Sequence, residues 1–427
     1  QLIAEGLPGR EIIFTSRSDD RFGAGGTFDT NGDDSAQQPS PGDWGGLYVG
    51  TIGSASIDHA LLTFGGGVTK IEGTFKAFNI LEIHQADVRL ANSVIEFNAN
   101  GQAGQGPADR FGRGYNEPAT IYVRGAQPIL VNNTIQHNDE VALTINANSF
   151  TSQPLPDLGR TTGALDLAGD FATNTGPLIR GNQMVDNPLN AVDIRGEILT
   201  TQSVWDDTDI VHVLRGEQII VPDFHTNVGL RLQSSPSASL VVKMEGTGDS
   251  FDPDLGAGFT ATGSQMGIDD HIGGTMQVIG QPDFPVILTS LSDDTVGAGF
   301  QPDGQTATDT NNNGWVTLPQ AGDWRSVRLE QFANDRNVEL ILENENPTTT
   351  APGENATPDS AQHLGDLAPF EHGGADNLRL GFDILGVLNE RNDIDVYSFE
   401  ASAGTEIWLD VDRTTNTLNS VVELIDG

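Results

Sequence analysis

A seven-residue pattern that recurs along the middle of this chain limits its possible folds more than any other feature. It reads Asn92-Ser93-Val94-Ile95-Glu96-Phe97-Asn98, then Asn132-Asn133-Thr134-Ile135-Gln136-His137-Asn138, then Gly181-Asn182-Gln183-Met184-Val185-Asp186-Asn187. Each copy has a small or amide residue at its start, Ile or Met at its centre and Asn at its end. Each is followed by a further apolar stretch, such as Val141 to Ile145 and Ala191 to Ile194. If parallel strands stack about 4.8 Å apart, equivalent side chains form ladders, with Ile pointing inward and Asn hydrogen-bonding to its neighbours at the bend. We therefore expect Ile95, Ile135 and Met184 to stack in register. The copies lie further apart than one ordinary coil, which predicts extruded loops at 101–116 and 151–176, both rich in Gly, Pro, Asp and Thr. The competing reading is a set of Asn-rich turns in an ordinary sandwich.

A longer duplication brackets these motifs. Gly6-Leu7-Pro8 through Ile12-Ile13-Phe14-Thr15-Ser16 returns as Gly280-Gln281-Pro282 through Val286-Ile287-Leu288-Thr289-Ser290, at a constant offset of 274. Asp19-Asp20 and Gly23-Ala24-Gly25 return as Asp293-Asp294 and Gly297-Ala298-Gly299 at the same offset. After a six-residue insertion, Asp29-Thr30-Asn31 returns as Asp309-Thr310-Asn311 and Gly42-Asp43-Trp44 as Gly322-Asp323-Trp324. No window shows sustained helical spacing of apolar residues, and the 51 glycines suit many short strands. The fold class expected is all-β.

Charge narrows the partners. The chain carries 21 Lys+Arg against 60 Asp+Glu, a net charge of −39, and its only lysines are Lys70, Lys76 and Lys243. Phosphate recognition needs clustered positive charge, so nucleic acid is excluded as a natural partner. So acidic a chain repels itself unless salt or bound cations intervene, and calcium is the natural cation. With no cysteine, disulfides, thiolate catalysis and Cys-ligated zinc are all excluded. No apolar run approaches the roughly 20 residues of a membrane-spanning helix. The chain starts without Met and stops inside what reads as a strand-turn, so we expect an excerpt of a longer polypeptide, its first module truncated at the start and its last domain incomplete.

Two resemblances follow from these residues. The series Trp205, Ile219-Ile220-Val221-Pro222, Leu230-Arg231-Leu232, Val241-Val242, Gly258-Phe259, Met276 to Gly280 and Val286 to Ser290, with Gly-Asp-Trp at 42–44 and 322–324, resembles large secreted bacterial right-handed parallel β-helix proteins over residues 1–345. That resemblance implies a secreted or cell-surface protein. It does not choose among lyases, hydrolases, adhesins and structural proteins. Near the end, Asp393-Ile394-Asp395-Val396-Tyr397-Ser398-Phe399, Ala403-Gly404-Thr405, Ile407 to Asp412 and Val421 to Gly427 resemble the bacterial pre-peptidase C-terminal domain, a non-catalytic β-sandwich. The organisation expected is a first β-helix module at 1–200, a second at 201–343, a Pro/Thr-rich linker at 344–358 and a partial β-sandwich at 359–427.

The candidate sites are acidic. Asp309-Thr310-Asn311-Asn312-Asn313-Gly314 fits the first half of a calcium loop, in which alternate oxygen side chains converge on one ion. Asp29-Thr30-Asn31-Gly32-Asp33-Asp34 is its weaker copy. The distance to the following Asp43 or Asp323 is 14 residues in both copies, as a closed coordination shell would require. The expected ligand sets are Asp19, Asp20, Asp29, Asn31, Asp33 and Asp43, and Asp293, Asp294, Asp309, Asn311, Asn313 and Asp323. An Asx-turn-rich surface loop is the alternative. For glycan cleavage the candidates are Asp87, Arg89, Glu96, Arg124, Asp166, Asp193 and Arg195, none in a motif that pairs two carboxylates. The histidines show neither H-x-H nor HExxH spacing, and the glycine runs lack a following Lys-Ser/Thr. We expect Trp44 and Trp324 to close the end of a core, in preference to stacking on sugar rings. Function is expected to be structural or adhesive, with polysaccharide, matrix or cell surface as partner; the alternative is an ancillary or catalytic part of a secreted polysaccharide lyase or glycoside hydrolase.

Overall fold

The computed structural model describes residues 1–71, 74–101, 114–163, 171, 174–223, 228–248, 256–263, 274–330, 333, 338–344, 355–367, 381–386, 393–405, 407, 409 and 421–425. The fold is all-β with several parallel sheets; the described residues contain two short 3-10 turns and no α-helix. No helix among them is long and apolar enough to cross a membrane. The chain divides into two compact units. The first comprises Gln1–Val221, Val228–Thr260 and Met276–Arg328, and the second Pro222–Asn227, Ala261–Thr275 and Leu329–Gly427.

In the first unit the chain visits three sheets in turn. The first sheet holds Leu2–Glu5, Ser54–Asp58, Asp87–Ala91, Ile129–Val131 and Leu178–Arg180. The second holds Ile12–Phe14, Ala60–Thr63, Val94–Glu96, Thr134–Gln136 and Gln183–Val185. The third is the longest and runs from Leu47–Val49 through Leu81–His84, Ile121–Arg124, Leu143–Asn146, Val192–Arg195, His212–Arg215 and Val241–Glu245 to Ile287–Ser290. Every pairing within these sheets is parallel. From Gln202 onward two further sheets share the stack, Gln202–Trp205 with Gly229–Gln233, in parallel, and Thr275–Ile279, and Gln218–Val221 with Gly258–Ala261 and Ser326–Leu329.

The seven-residue motifs lie at a corner of this stack. Ile95 pairs with Leu62 and Ile135, and Ile135 with Met184, and all four side chains are buried. At the start of each motif the backbone turns into the left-handed region, at Asn92 (φ 50°), Asn132 (φ 55°) and Gly181 (φ 67°). Asn tolerates that conformation and Gly adopts it freely, which is why these two residue types share the position. Past the strand the chain turns again at Phe97, His137 and Asp186, with φ of 53–55°. The Asn that follows is buried at each level. Asn98 donates its backbone N–H to Asn138 Oδ1 (3.0 Å), and Asn138 donates its own to Asn187 Oδ1 (3.2 Å). Their Nδ2 groups donate to the carbonyls of Leu62, Ile95 and Ile135 at 3.1, 3.1 and 2.9 Å. Ser93, Asn133 and Asn182 form a second ladder of the same kind.

The two copies of the long repeat occupy different faces. Ile12–Phe14 lies in the second sheet and its counterpart Ile287–Ser290 in the third, so the repeated element is rotated by one face around the stack.

In the second unit, Val338–Leu342 pairs in parallel with Gly381–Leu385, and Gln362–Asp366 with Tyr397–Glu400. Of the strand series expected at its end, Tyr397–Glu400 is a strand. Val421 to Ile425 lie outside any strand and are exposed. Residues 410–420 and most of the 344–358 segment fall outside the described residues.

One interior group tunes stability with pH. His212 is fully buried, stacked on Trp205 (5.4 Å) and near Phe150 (5.9 Å). Burial, with the Arg180 charge adding to it, lowers its pKa from 6.5 to about 3. Below pH 6.5 the unfolded chain takes up a proton that the folded chain refuses. Stability should fall by about 1.4 kcal/mol per pH unit under 6.5. His212→Phe should flatten the slope of unfolding midpoint against pH between 5 and 7, measured in denaturant. In the corner ladder, Asn138→Ala orphans the Asn98 N–H and should cost about 2–3 kcal/mol. Ile135→Asp, which buries an unpaired carboxylate between layers, should cost several kcal/mol. A wild-type melting curve for either variant would contradict the ladder.

Candidate functional site

The two acidic loops fold alike down to their hydrogen bonds. In the first, Thr15 Oγ1 donates to Asp19 (2.5 Å) and Ser16 Oγ to Asp43 (2.6 Å). In the second, Thr289 donates to Asp293 (2.7 Å) and Ser290 to Asp323 (2.5 Å). Asp43 also accepts the Ser40 N–H at 3.0 Å, and Asp323 the Gln320 N–H at 2.8 Å. The equal spacing from Asp29 to Asp43 and from Asp309 to Asp323 thus has a local cause, since each closing Asp ties its loop to a serine, Ser16 just past one strand and Ser290 at the end of another.

Asp29 is an Asx-turn centre. It accepts backbone N–H groups from Gly32 (2.7 Å), Asp33 (3.1 Å) and Asp34 (2.9 Å), and these bonds, the Asp34 one foremost, hold its carboxyl below the usual range. Asp309 repeats this with Asn313 (2.9 Å) and Gly314 (2.8 Å). Asp33 accepts the Ala36 and Gln37 N–H groups and the Asn31 amide, and Asn313 accepts the Val316 N–H.

Of the residues expected to coordinate, the structure brings three together in the first copy. One carboxylate oxygen each from Asp20, Asp29 and Asp33 lies within 4.8 Å of the others. Both Asp20 oxygens are buried without a hydrogen-bond partner. Asp19 points elsewhere: it is buried and bound by Arg21 Nε (2.8 Å) and Nη2 (2.9 Å). In the second copy Asp294 repeats Asp20. It is 2% exposed, and neither of its oxygens has a partner. Burial and then the nearby Asp309 charge raise its pKa. Asn311 Oδ1 is likewise buried and unpartnered. Buried acceptors without donors are rare in folded proteins. Two of them at equivalent positions, each beside a second carboxylate, form the geometry that an oxygen-seeking cation such as calcium would satisfy.

Four of the seven candidate catalytic residues, Arg89, Glu96, Asp193 and Arg195, are tied into other contacts. Arg89 is buried between Asp58 (2.5 Å) and Asp157 (2.8 Å), and Arg160 reaches Asp58 at 3.2 Å. Burial alone would raise the Asp58 pKa, but hydrogen bonds from Arg89, Asn92, Arg160 and His59 outweigh it and keep the group ionised. Asp193 pairs with Arg215. Arg195 lies over the Tyr122 ring (4.4 Å) and donates to the Val123 carbonyl (2.5 Å). Glu96 accepts from Gln136, Asp87 and Arg124 are exposed, and Asp166 lies outside the described residues. Trp44 is half-buried and donates its indole N–H to the Thr63 carbonyl.

Sequence reasoning missed the buried polar face of the third sheet. There Glu82 contacts His84 (3.0 Å), and His84 stacks between Tyr48 and Tyr122. Glu117, before the strand Ile121–Arg124 and with its side chain 43% exposed, lies 4.0 Å from Arg195, and partial desolvation raises its pKa. No spacing rule joins residues that meet only because successive coils stack.

No family model, curated protein or solved structure matches this chain.

The Arg89 cluster is a structural clamp between the first sheet and the 151–163 segment. Removing its cation takes the Arg89 ion pair from the buried Asp157 and leaves Asp58 with Arg160, so Arg89→Ala should lose about 3–5 kcal/mol. Chemical denaturation reads the loss directly.

Proposed function

We propose that this chain is a non-catalytic extracellular or cell-surface protein with a structural or adhesive role. In this reading the first unit is a right-handed parallel β-helix stabilised by calcium, and the C-terminal segment belongs to a β-sandwich of pre-peptidase C-terminal type. Polysaccharide, matrix or another cell surface is its partner. The observation that carries the reading is the engagement of the charged side chains. Among the candidates for a glycan-cleaving site, Arg89 is committed to a buried cluster with Asp58 and Asp157, and Asp193 to a partly exposed pair with Arg215. Asp20 and Asp294, each with both oxygens buried and without a hydrogen-bond partner, sit in the repeated loops.

Calcium supports the same reading through charge. An ion bound among Asp20, Asp29 and Asp33 would relieve the repulsion of three carboxylates that share a few ångströms. Binding to the folded state alone stabilises it, by about 3 kcal/mol at roughly 100 times Kd.

Melting in calcium and in chelator at matched ionic strength tests the cation, with a higher Tm expected in calcium. Asp20→Asn should narrow the difference. It removes repulsion and raises Tm in chelator, and it removes a ligand and shrinks the calcium shift. Turnover is tested separately by reducing-sugar and unsaturated-uronide assays over acidic polysaccharides, where none is expected. Turnover that disappears in Glu117→Gln would overturn the non-catalytic reading.

A further inference from the structure

We propose that the two acidic loops, alike in fold, differ in kind: the cluster Asp20, Asp29 and Asp33 is a divalent-cation site, and in the second loop Lys243 and Asn313 stand in for the ion. This rests on the calcium reading above and assigns it to one loop.

The argument begins with what changes between the copies. The positions of Asp20 and Asp29 are kept as Asp294 and Asp309, while Asp33 becomes the neutral Asn313. The second loop also gains an ammonium. Lys243 lies in the strand Val241–Glu245, which pairs with Ile287–Ser290 and sets Lys243 opposite Thr289. Thr289 is the residue whose hydroxyl holds Asp293. Lys243 is fully buried and donates through Nζ to the carbonyl of Thr308 at 3.0 Å, immediately before Asp309. It makes no direct ion pair there, but its charge acts on Asp294, Asp293 and Asp309.

Three carboxylates in the first cluster therefore correspond to two carboxylates, an amide and a nearby ammonium in the second. With the neighbouring Asp19–Arg21 pair and Asp293 included, the first set carries a charge of −3 and the second −2, so the second is less negative by one charge. The arginine that neutralises Asp19 in the first copy is Thr295 in the second, so Lys243 serves Asp293 as well.

Both changes act against metal binding. Calcium affinity depends on the count of charged ligands, and the second loop has lost one. A fixed ammonium in a poorly solvated interior also repels an arriving cation over several ångströms. The first cluster has neither handicap: among the described residues no ion pair reaches Asp20, Asp29 or Asp33. Lys243, one of three lysines in a chain of charge −39, is buried where a carboxylate without a hydrogen-bond partner needs a positive charge.

Calorimetric titration of the chain with calcium chloride at fixed ionic strength distinguishes the loops. One site is expected. Asp29→Asn should abolish it, and Asp309→Asn should leave its stoichiometry and affinity unchanged. The double variant Lys243→Met/Asn313→Asp should gain a second site. Asp29 and Asp309 lie in surface turns, so their two variants decide the matter even if the double variant does not fold. Two sites in the wild type, one of them lost in Asp309→Asn, would overturn the assignment and leave the calcium reading standing. So would a single site that Asp309→Asn removes. No calcium heat from the wild type would overturn both.

Discussion

A chain that passes repeatedly from one parallel sheet to the next must turn corners, and at each corner the backbone leaves one sheet before it has entered the next. The N–H and carbonyl groups there lose their strand partners while remaining buried, which is costly unless another group serves them. In this chain the buried asparagines serve them. Asn98, Asn138 and Asn187 accept a backbone N–H from the level on one side and donate to a carbonyl of that same level. One side chain thus supplies both an acceptor and a donor, which neither a hydroxyl nor a carboxylate does with the same geometry. The inward stack of Leu62, Ile95, Ile135 and Met184 depends on these corners, because a slip of one residue at the bend would turn each apolar side chain outward.

The same economy governs charge. Far more carboxylates than cations are present, and the few arginines are placed where buried carboxylates need them: Arg89 and Arg160 at Asp58, Arg180 at Asp207, Arg215 at Asp193. Where no arginine is placed, as at Asp20 and Asp294, the carboxylate is buried without a partner. Burial raises the Asp294 pKa and lowers that of Lys243 to about 8, and in both the largest cause is lost hydration. A buried ammonium near buried carboxylates is therefore a compromise between desolvation and attraction, and its net contribution is smaller than the bare Coulomb energy suggests.

Local chemistry made part of this legible in advance. The central Ile of each motif and the Asn that closes it mark an inward position and a buried bend whatever the rest of the chain does. Their pairing could be read because the motif repeats. The duplication was equally plain, but sequence similarity is silent about which face of a stack an element occupies, and Ile287–Ser290 stands in a different sheet from Ile12–Phe14. In the acidic loops the sequence offers six oxygen-bearing residues in each copy, and in the first copy the structure brings Asp20, Asp29 and Asp33 within 4.8 Å of one another. Asp19 and Asp20 are adjacent and look interchangeable, yet the turn aims Asp19 at Thr15 and Arg21 and leaves Asp20 to face Asp29 and Asp33. The Arg89 clamp was illegible, because its partners Asp58 and Asp157 lie in another coil and in an extruded segment.

The duplicated coil shows how such a stack can vary without losing its fold. Ile12–Phe14 pairs with Ala60–Thr63, a strand that follows it, whereas Ile287–Ser290 pairs with Val241–Glu245, a strand that precedes it. One sequence element therefore accepts a neighbour on either edge, and its own turns, from Thr15–Asp19 to Ser16–Asp43, close in the same way in both settings. The loop's geometry is carried by the coil itself, while its electrostatic surroundings are set by the adjoining strand, which in the second copy delivers Lys243. The two copies keep that backbone while their charge differs, within the loop where Asp33 is replaced by Asn313 and beside it where Lys243 donates to the Thr308 carbonyl.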